Sequence, residues 1–254
     1  MLQGRAALVT GSTAGGMGRS IALTLARDGA DIVLNFGTNR RGPEAEEASA
    51  RVAKAIRDMG RRTLVVEADT KKDEDVAAMV KTAADEFGKI DILVNNASGP
   101  WVVRDYTEIP LEEWKEATSA QIDGAFLTMK YVVPGMRERR WGRVMHLGMS
   151  GALHMGGVAG VAPDYCLGKA ARAWMTAALG SQEFGEGITV NCIEPSLIEQ
   201  VSFDEALQAA TADKSGWRER KCSKPQDVAE IVSFLCSEAG RFVSGSTIGV
   251  GRLP

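Results

Sequence analysis

One pattern constrains this chain more than any other. Short runs rich in Val, Ile and Leu alternate with longer amphipathic stretches from one end to the other. The short runs are residues 6–10, 31–35, 63–67, 90–95, 143–147, 189–194 and 247–250, each bounded by Gly, Asn, Asp or Pro. They are nearly continuous in apolar character, as expected of strands covered on both faces. Helical patterns fill the gaps at residues 18–27, 42–59, 73–87, 111–139, 164–184 and 225–237. Strand and helix repeated in this way predict an α/β fold: a seven-stranded parallel sheet with helices on both faces. Pro134 predicts a kink or break near Val133 in the helix that starts at Leu111. Residues 194–223 carry the weakest pattern and read as a lid or substrate loop. With no linker, low-complexity tract or repeat, residues 1–254 are expected to form one domain.

Composition narrows the function. A formal net charge of −3 gives no reason to expect nucleic acid or an anionic membrane as partner. No apolar run approaches the ~20 residues of a membrane-spanning helix. The first residues lack the regions of a signal peptide. Cys166, Cys192, Cys222 and Cys236 show no metal-binding spacing, and the two histidines, His146 and His154, are too few for an ordinary zinc site. No metal is expected, and reduced thiols suit a cytoplasmic protein.

The chemistry begins at residues 9–22, VTGSTAGGMGRSIA, between the first strand and the first helix. A glycine-rich turn in that place binds a dinucleotide. Gly11 allows the tight turn, Gly16 or Gly15 lets the backbone approach the pyrophosphate, and Gly18 permits close helix–strand packing. Free N–H groups at the helix start then face the phosphates. The second strand ends in NFGTNRRG, where an NAD site usually places an acidic residue. Arg40 and Arg41 stand there with no carboxylate, which suits the 2′-phosphate of NADPH over NADH.

The ordered set of that glycine turn, Ala68–Asp69, NNAS at residues 95–98, YCLGK at 165–169 and NCIEP at 191–195 resembles the classical short-chain dehydrogenase/reductases, of 3-oxoacyl-reductase type. The match runs almost end to end. The resemblance implies a Rossmann-like fold, a nicotinamide cofactor and a homotetramer or homodimer. It implies that Tyr165 is the proton donor with Lys169 as its partner; i and i+4 share one helix face. The cofactor-binding set it implies is Gly11, Ser12, Gly16, Met17, Gly18, Arg40, Arg41, Asp69, Thr70, Asn96, Ala97, Tyr165, Lys169, Pro195 and Ile198.

The chain departs from that family near the reacting centre. The carbonyl-polarising serine usually ends the fifth strand, but ungapped counting puts Met149 there, and a thioether cannot donate to a carbonyl oxygen. Ser150, the next residue, is the expected replacement. Gln121 stands where the resemblance implies a catalytic helix asparagine that holds the proton-relay water, and is expected to take that place; Ser196 stands where glycine is usual, and Gln200 where threonine is usual. His146 reads as a strand or core residue, and Trp101 and Trp217 as candidates to line a pocket. The expected activity is NADPH-dependent reduction of a ketone, or oxidation of a secondary alcohol, on a small-molecule substrate. An NAD-dependent alcohol dehydrogenase is one alternative. Another is a non-enzymatic, degenerate cofactor-binding relative with a regulatory or structural role. The alanine-rich helix from Asp164 predicts close helix packing in an oligomer.

Overall fold

In the computed structural model, residues 1–13, 15–38, 42–152, 162–211, 220 and 222–251 are described. Among them, β1 (Ala6–Val9), β2 (Asp31–Phe36), β3 (Thr63–Glu67), β4 (Ile92–Asn95), β5 (Gly142–Leu147), β6 (Ile188–Pro195) and β7 (Thr247–Val250) form one sheet. All pairings are parallel. The order is β3-β2-β1-β4-β5-β6-β7. The chain reverses direction of growth between β1 and β4, and ligands of open α/β sheets bind outside the strand ends at such a switch point.

The helices are α1 (Met17–Arg27), α2 (Pro43–Asp58), α3 (Asp73–Phe87), α4 (Leu111–Arg139), α5 (Pro163–Phe184), α6 (Phe203–Thr211) and α7 (Pro225–Cys236). The two-residue period of a strand divides the core into two layers. Ala7, Val9, Ile32, Leu34, Ile92, Val94, Met145 and Leu147 pack with α1, α2, α6 and α7. Ala6, Leu8, Val33, Leu93 and Val144 pack on the other face with α3 and α4. The expected helix–sheet–helix layering is therefore observed.

Two expectations need correction. Pro134 does not break α4, which continues to Arg139. It falls in the last two turns of a 29-residue helix, where Val132 and Met136 are anchored in the core, so packing outweighs one missing hydrogen bond. Residues 194–223 are not only loop: β6 runs to Pro195, and α6 occupies Phe203–Thr211. Ala206 and Ala210 of that helix are buried against the core, too small an apolar signal to stand out in sequence.

Candidate active site

The glycine turn lies where the sequence predicts it. Gly16 precedes α1 with φ of 99°, and Gly11 has φ of 63°, conformations that favour glycine. A Cβ at Gly18 would run into Gly11 O and the Asn96 amide. That amide donates to Thr10 O at 2.9 Å and Gly11 O at 3.0 Å, tying the end of β4 to the turn. Asn35, at the end of β2, is buried; its Oδ1 accepts from Gly11 N at 3.2 Å and its Nδ2 donates to Ala68 O at 3.1 Å. Its side chain therefore braces the turn.

A cavity of about 610 Å³ opens over these strand ends. Gly11, Gly16, Met17, Gly18, Asp69, Thr70, Asn96, Ala97, Tyr165 and Lys169 line it, together with Thr13, Phe36, Ser98 and Trp101. The lining thus runs from the turn past Asp69 to Tyr165, and its volume suits an extended small molecule. Other expected residues stand elsewhere. Ser12 is buried, with its hydroxyl accepting from Asn35 N at 3.1 Å. Pro195 pairs with Val250 in the sheet, and Ile198 bridges to Ser223 and packs on the core. Arg40, Arg41, His154 and Trp217 lie outside the described residues.

Tyr165 and Lys169 come together on α5, with Lys169 Nζ 5.3 Å from the Tyr165 ring centre. Trp101 meets the same ring edge-on at 5.0 Å. Lys169 is buried and donates to Leu147 O at 2.9 Å. Burial, then the charge of Arg172, holds its pKa well below the usual lysine value. Gln121 is fully buried, and its Nε2 donates to Ser98 Oγ at 2.7 Å. Ser98 Oγ lies 3.2 Å from the Tyr165 hydroxyl. Gly168 makes room for this glutamine, since a Cβ there would lie 2.5 Å from Gln121 Cβ and Cγ. Ser150 donates through its backbone N–H to Pro195 O at 3.0 Å, and it does not line the cavity.

Two features escaped sequence reasoning. The first is Ser98, hidden inside a motif read for its asparagines. The second is Arg172, buried with its guanidinium bound to four carbonyls: Gln121 O at 2.9 Å, Asn95 O at 3.0 Å, Leu147 O at 3.1 Å and Ala97 O at 2.6 Å. It joins α4 to the ends of β4 and β5. Burial lowers its pKa to about 10, which leaves it charged at neutral pH. The spacing of Tyr165, Lys169 and Arg172, at i, i+4 and i+7, was the available signal. His146 is a buried strand residue, as expected, and accepts from Asn95 Nδ2 at 3.5 Å. Burial, then the charges of Arg172 and Lys169, pushes its pKa down to about 3.

Comparison with known proteins agrees with this geometry. The family described as enoyl-(acyl carrier protein) reductase matches residues 12–251. The BbsD subunit of a hydroxy(phenyl)methylsuccinyl-CoA dehydrogenase from Thauera aromatica is 34% identical over 254 residues, covering 98% of this chain and 96% of the relative. A 3-ketoacyl-(acyl-carrier-protein) reductase from Brucella melitensis, solved with NADH, superposes with a TM-score of 0.82 at 27% identity, covering 99% of this chain and 98% of that one. A blue fluorescent protein from a metagenomic library, solved with NADPH, gives a TM-score of 0.82 at 25% identity, covering 98% and 97%. With the parallel sheet, the glycine turn at its switch point and the Tyr165–Lys169 pair on one helix, the chain belongs to the short-chain dehydrogenase/reductases, a family of nicotinamide-dependent oxidoreductases.

Proposed function

We propose that this protein is an NADPH-dependent carbonyl reductase acting on a ketone. The observation that carries the reading is Tyr165, which lines the cavity formed by the glycine turn while Lys169 Nζ lies 5.3 Å from its ring centre. The bound nicotinamide supplies the hydride. Gly16 and the first N–H groups of α1 would hold its pyrophosphate, and Asp69 and Thr70 its adenine end. Tyr165 gives its hydroxyl proton to the oxygen that becomes the alcohol. Lys169, buried beneath that ring, keeps the tyrosine in place and can turn toward the ribose hydroxyls.

NADPH is preferred over NADH in this reading because β2 ends without a carboxylate facing the cavity. Asn35 points back into the turn, Phe36 and Gly37 line the opening, and Arg40 and Arg41 follow. The test is NADPH oxidation against a panel of ketones. Wild type should turn over at least one of them, and Tyr165→Phe should lose about 10²-fold or more in kcat while binding NADPH with similar affinity. A wild type inert across the panel, or a fully active Tyr165→Phe, would refute the reading.

A further inference from the structure

The fifth strand leaves the reacting site one hydroxyl short. The developing alkoxide of a carbonyl reduction is best stabilised by a second, preorganised donor beside the proton donor. Met149 cannot serve, and Ser150 does not line the cavity. Ser98, just beyond β4, stands where such a donor is needed. Its Oγ is 3.2 Å from the Tyr165 hydroxyl, and it lines the same cavity. We propose that Ser98 is the catalytic hydroxyl that polarises the substrate carbonyl, and that Gln121 is the residue that positions it; the assignment rests on the carbonyl-reductase reading above.

The hydrogen-bond count supports it. Gln121 Nε2 donates to Ser98 Oγ at 2.7 Å, so one lone pair of the serine is filled and its rotation is restrained. Among the described residues, the serine proton has only Gly99 O at 3.4 Å or the Tyr165 oxygen at 3.2 Å to accept it, both long for an O–H donor. A carbonyl oxygen about 2.7 Å from each hydroxyl would accept from both, closing a triangle with better geometry than either present contact. Gln121 is fully buried, its backbone carbonyl accepts from Arg172 Nε at 2.9 Å, and its side chain fits into the space that Gly168 leaves, while Oε1 has no hydrogen-bond partner among the described residues, which leaves Ser98 as the partner of its amide. The extra methylene of glutamine thus has a use: it carries the amide out to Ser98. In the reaction Ser98 keeps its proton and only donates a hydrogen bond. The carbonyl carbon would take its hydride from the nicotinamide cofactor, which would be left oxidised, while Tyr165 transfers its proton to the oxygen and regains one from solvent, so atoms and electrons balance.

The experiment compares Ser98→Ala, Ser98→Thr, Gln121→Leu and Ser150→Ala with wild type, using a ketone that wild type reduces and measuring NADPH affinity by fluorescence. Ser98→Ala should lose about 10²-fold in kcat, with NADPH affinity changed less than about twofold. Ser98→Thr, which keeps the hydroxyl, should recover most of that loss. Gln121→Leu should lower kcat while leaving NADPH binding intact. Ser150→Ala should cost less than Ser98→Ala. A Ser98→Ala variant with wild-type kcat, or one whose loss is matched by Ser98→Thr or by lost NADPH affinity, overturns the assignment while the reductase reading stands. A wild type inert toward every ketone overturns both.

Discussion

His146 sets a limit on the acid stability of the protein. Its imidazole is fully buried in β5, and Nδ1 accepts from Asn95. Nε2 has no hydrogen-bond partner among the described residues. Protonation would place a second nitrogen-bound proton against a donor and a new cation beside Arg172 and Lys169. Burial first, then the charges of Arg172 and Lys169, takes the pKa from 6.5 to about 3 on folding. Between those values the unfolded chain binds a proton that the folded chain refuses. Stability is therefore intact above pH 6.5 and is lost as pH falls toward 3. The gap of about 3.5 pH units, at about 1.4 kcal/mol each, totals about 5 kcal/mol. From pH 7 to pH 5 the share is about 2 kcal/mol, and any folded value below about 4 gives the same share. Urea unfolding followed by circular dichroism, at one protein concentration, should show wild type losing about 2 kcal/mol more than His146→Gln between pH 7 and pH 5. The glutamine keeps an amide oxygen for Asn95 and does not titrate, and carboxylate effects common to both proteins cancel. Equal losses in the two proteins, within about 0.5 kcal/mol, would refute the argument.

Further outcomes follow from the same geometry. Fluorescence titration at physiological salt should find NADPH bound more tightly than NADH by about tenfold or more, since charge-assisted contacts to a phosphate are strong; equal affinities would refute the reading of β2. Gly168→Ala should destabilise by about 1–3 kcal/mol in thermal or urea unfolding, because its Cβ meets Gln121 Cβ at 2.5 Å, and this outweighs the roughly 1 kcal/mol that alanine gains in a helix. Light scattering at micromolar concentration should report a dimer or tetramer: Phe126, Leu167 and Trp174 stand exposed on α4 and α5, with Trp174 70% accessible. Trp174→Glu should shift that population toward monomer, and a monomeric wild type would end the proposal.

The sheet and the nucleotide cradle were legible in the sequence because both depend on local signals. Strand runs such as residues 63–67 and 247–250 are short and rich in β-branched residues, and their limits agree with the folded elements residue for residue. Gly11 and Gly16 announce a turn through their backbone freedom, and Gly18 through the close approach its missing Cβ allows. Tyr165 and Lys169 lie one helical turn apart, so their pairing needed only a helix. What depends on elements distant in sequence was not legible. Pro134 signals a break only while the helix is considered alone; the core contacts of Val132 and Met136 carry α4 through it. Ser150 is one residue from the expected position, but β6 and the turn after β5 fix its backbone to Pro195 O. Ser98 and Tyr165 are 67 residues apart, and their hydroxyls meet because Gly168 lets α5 approach Gln121 on α4. Arg172 looks like a surface charge on an alanine-rich helix until the ends of β4 and β5 supply the carbonyls that make its burial affordable. Sequence spacing therefore determined the scaffold and the tyrosine–lysine pair. Only the packing of α4 and α5 against the strand ends decided which side chains gather around Tyr165, because side-chain direction at a junction is set by the neighbours it must avoid and the hydrogen bonds it must satisfy.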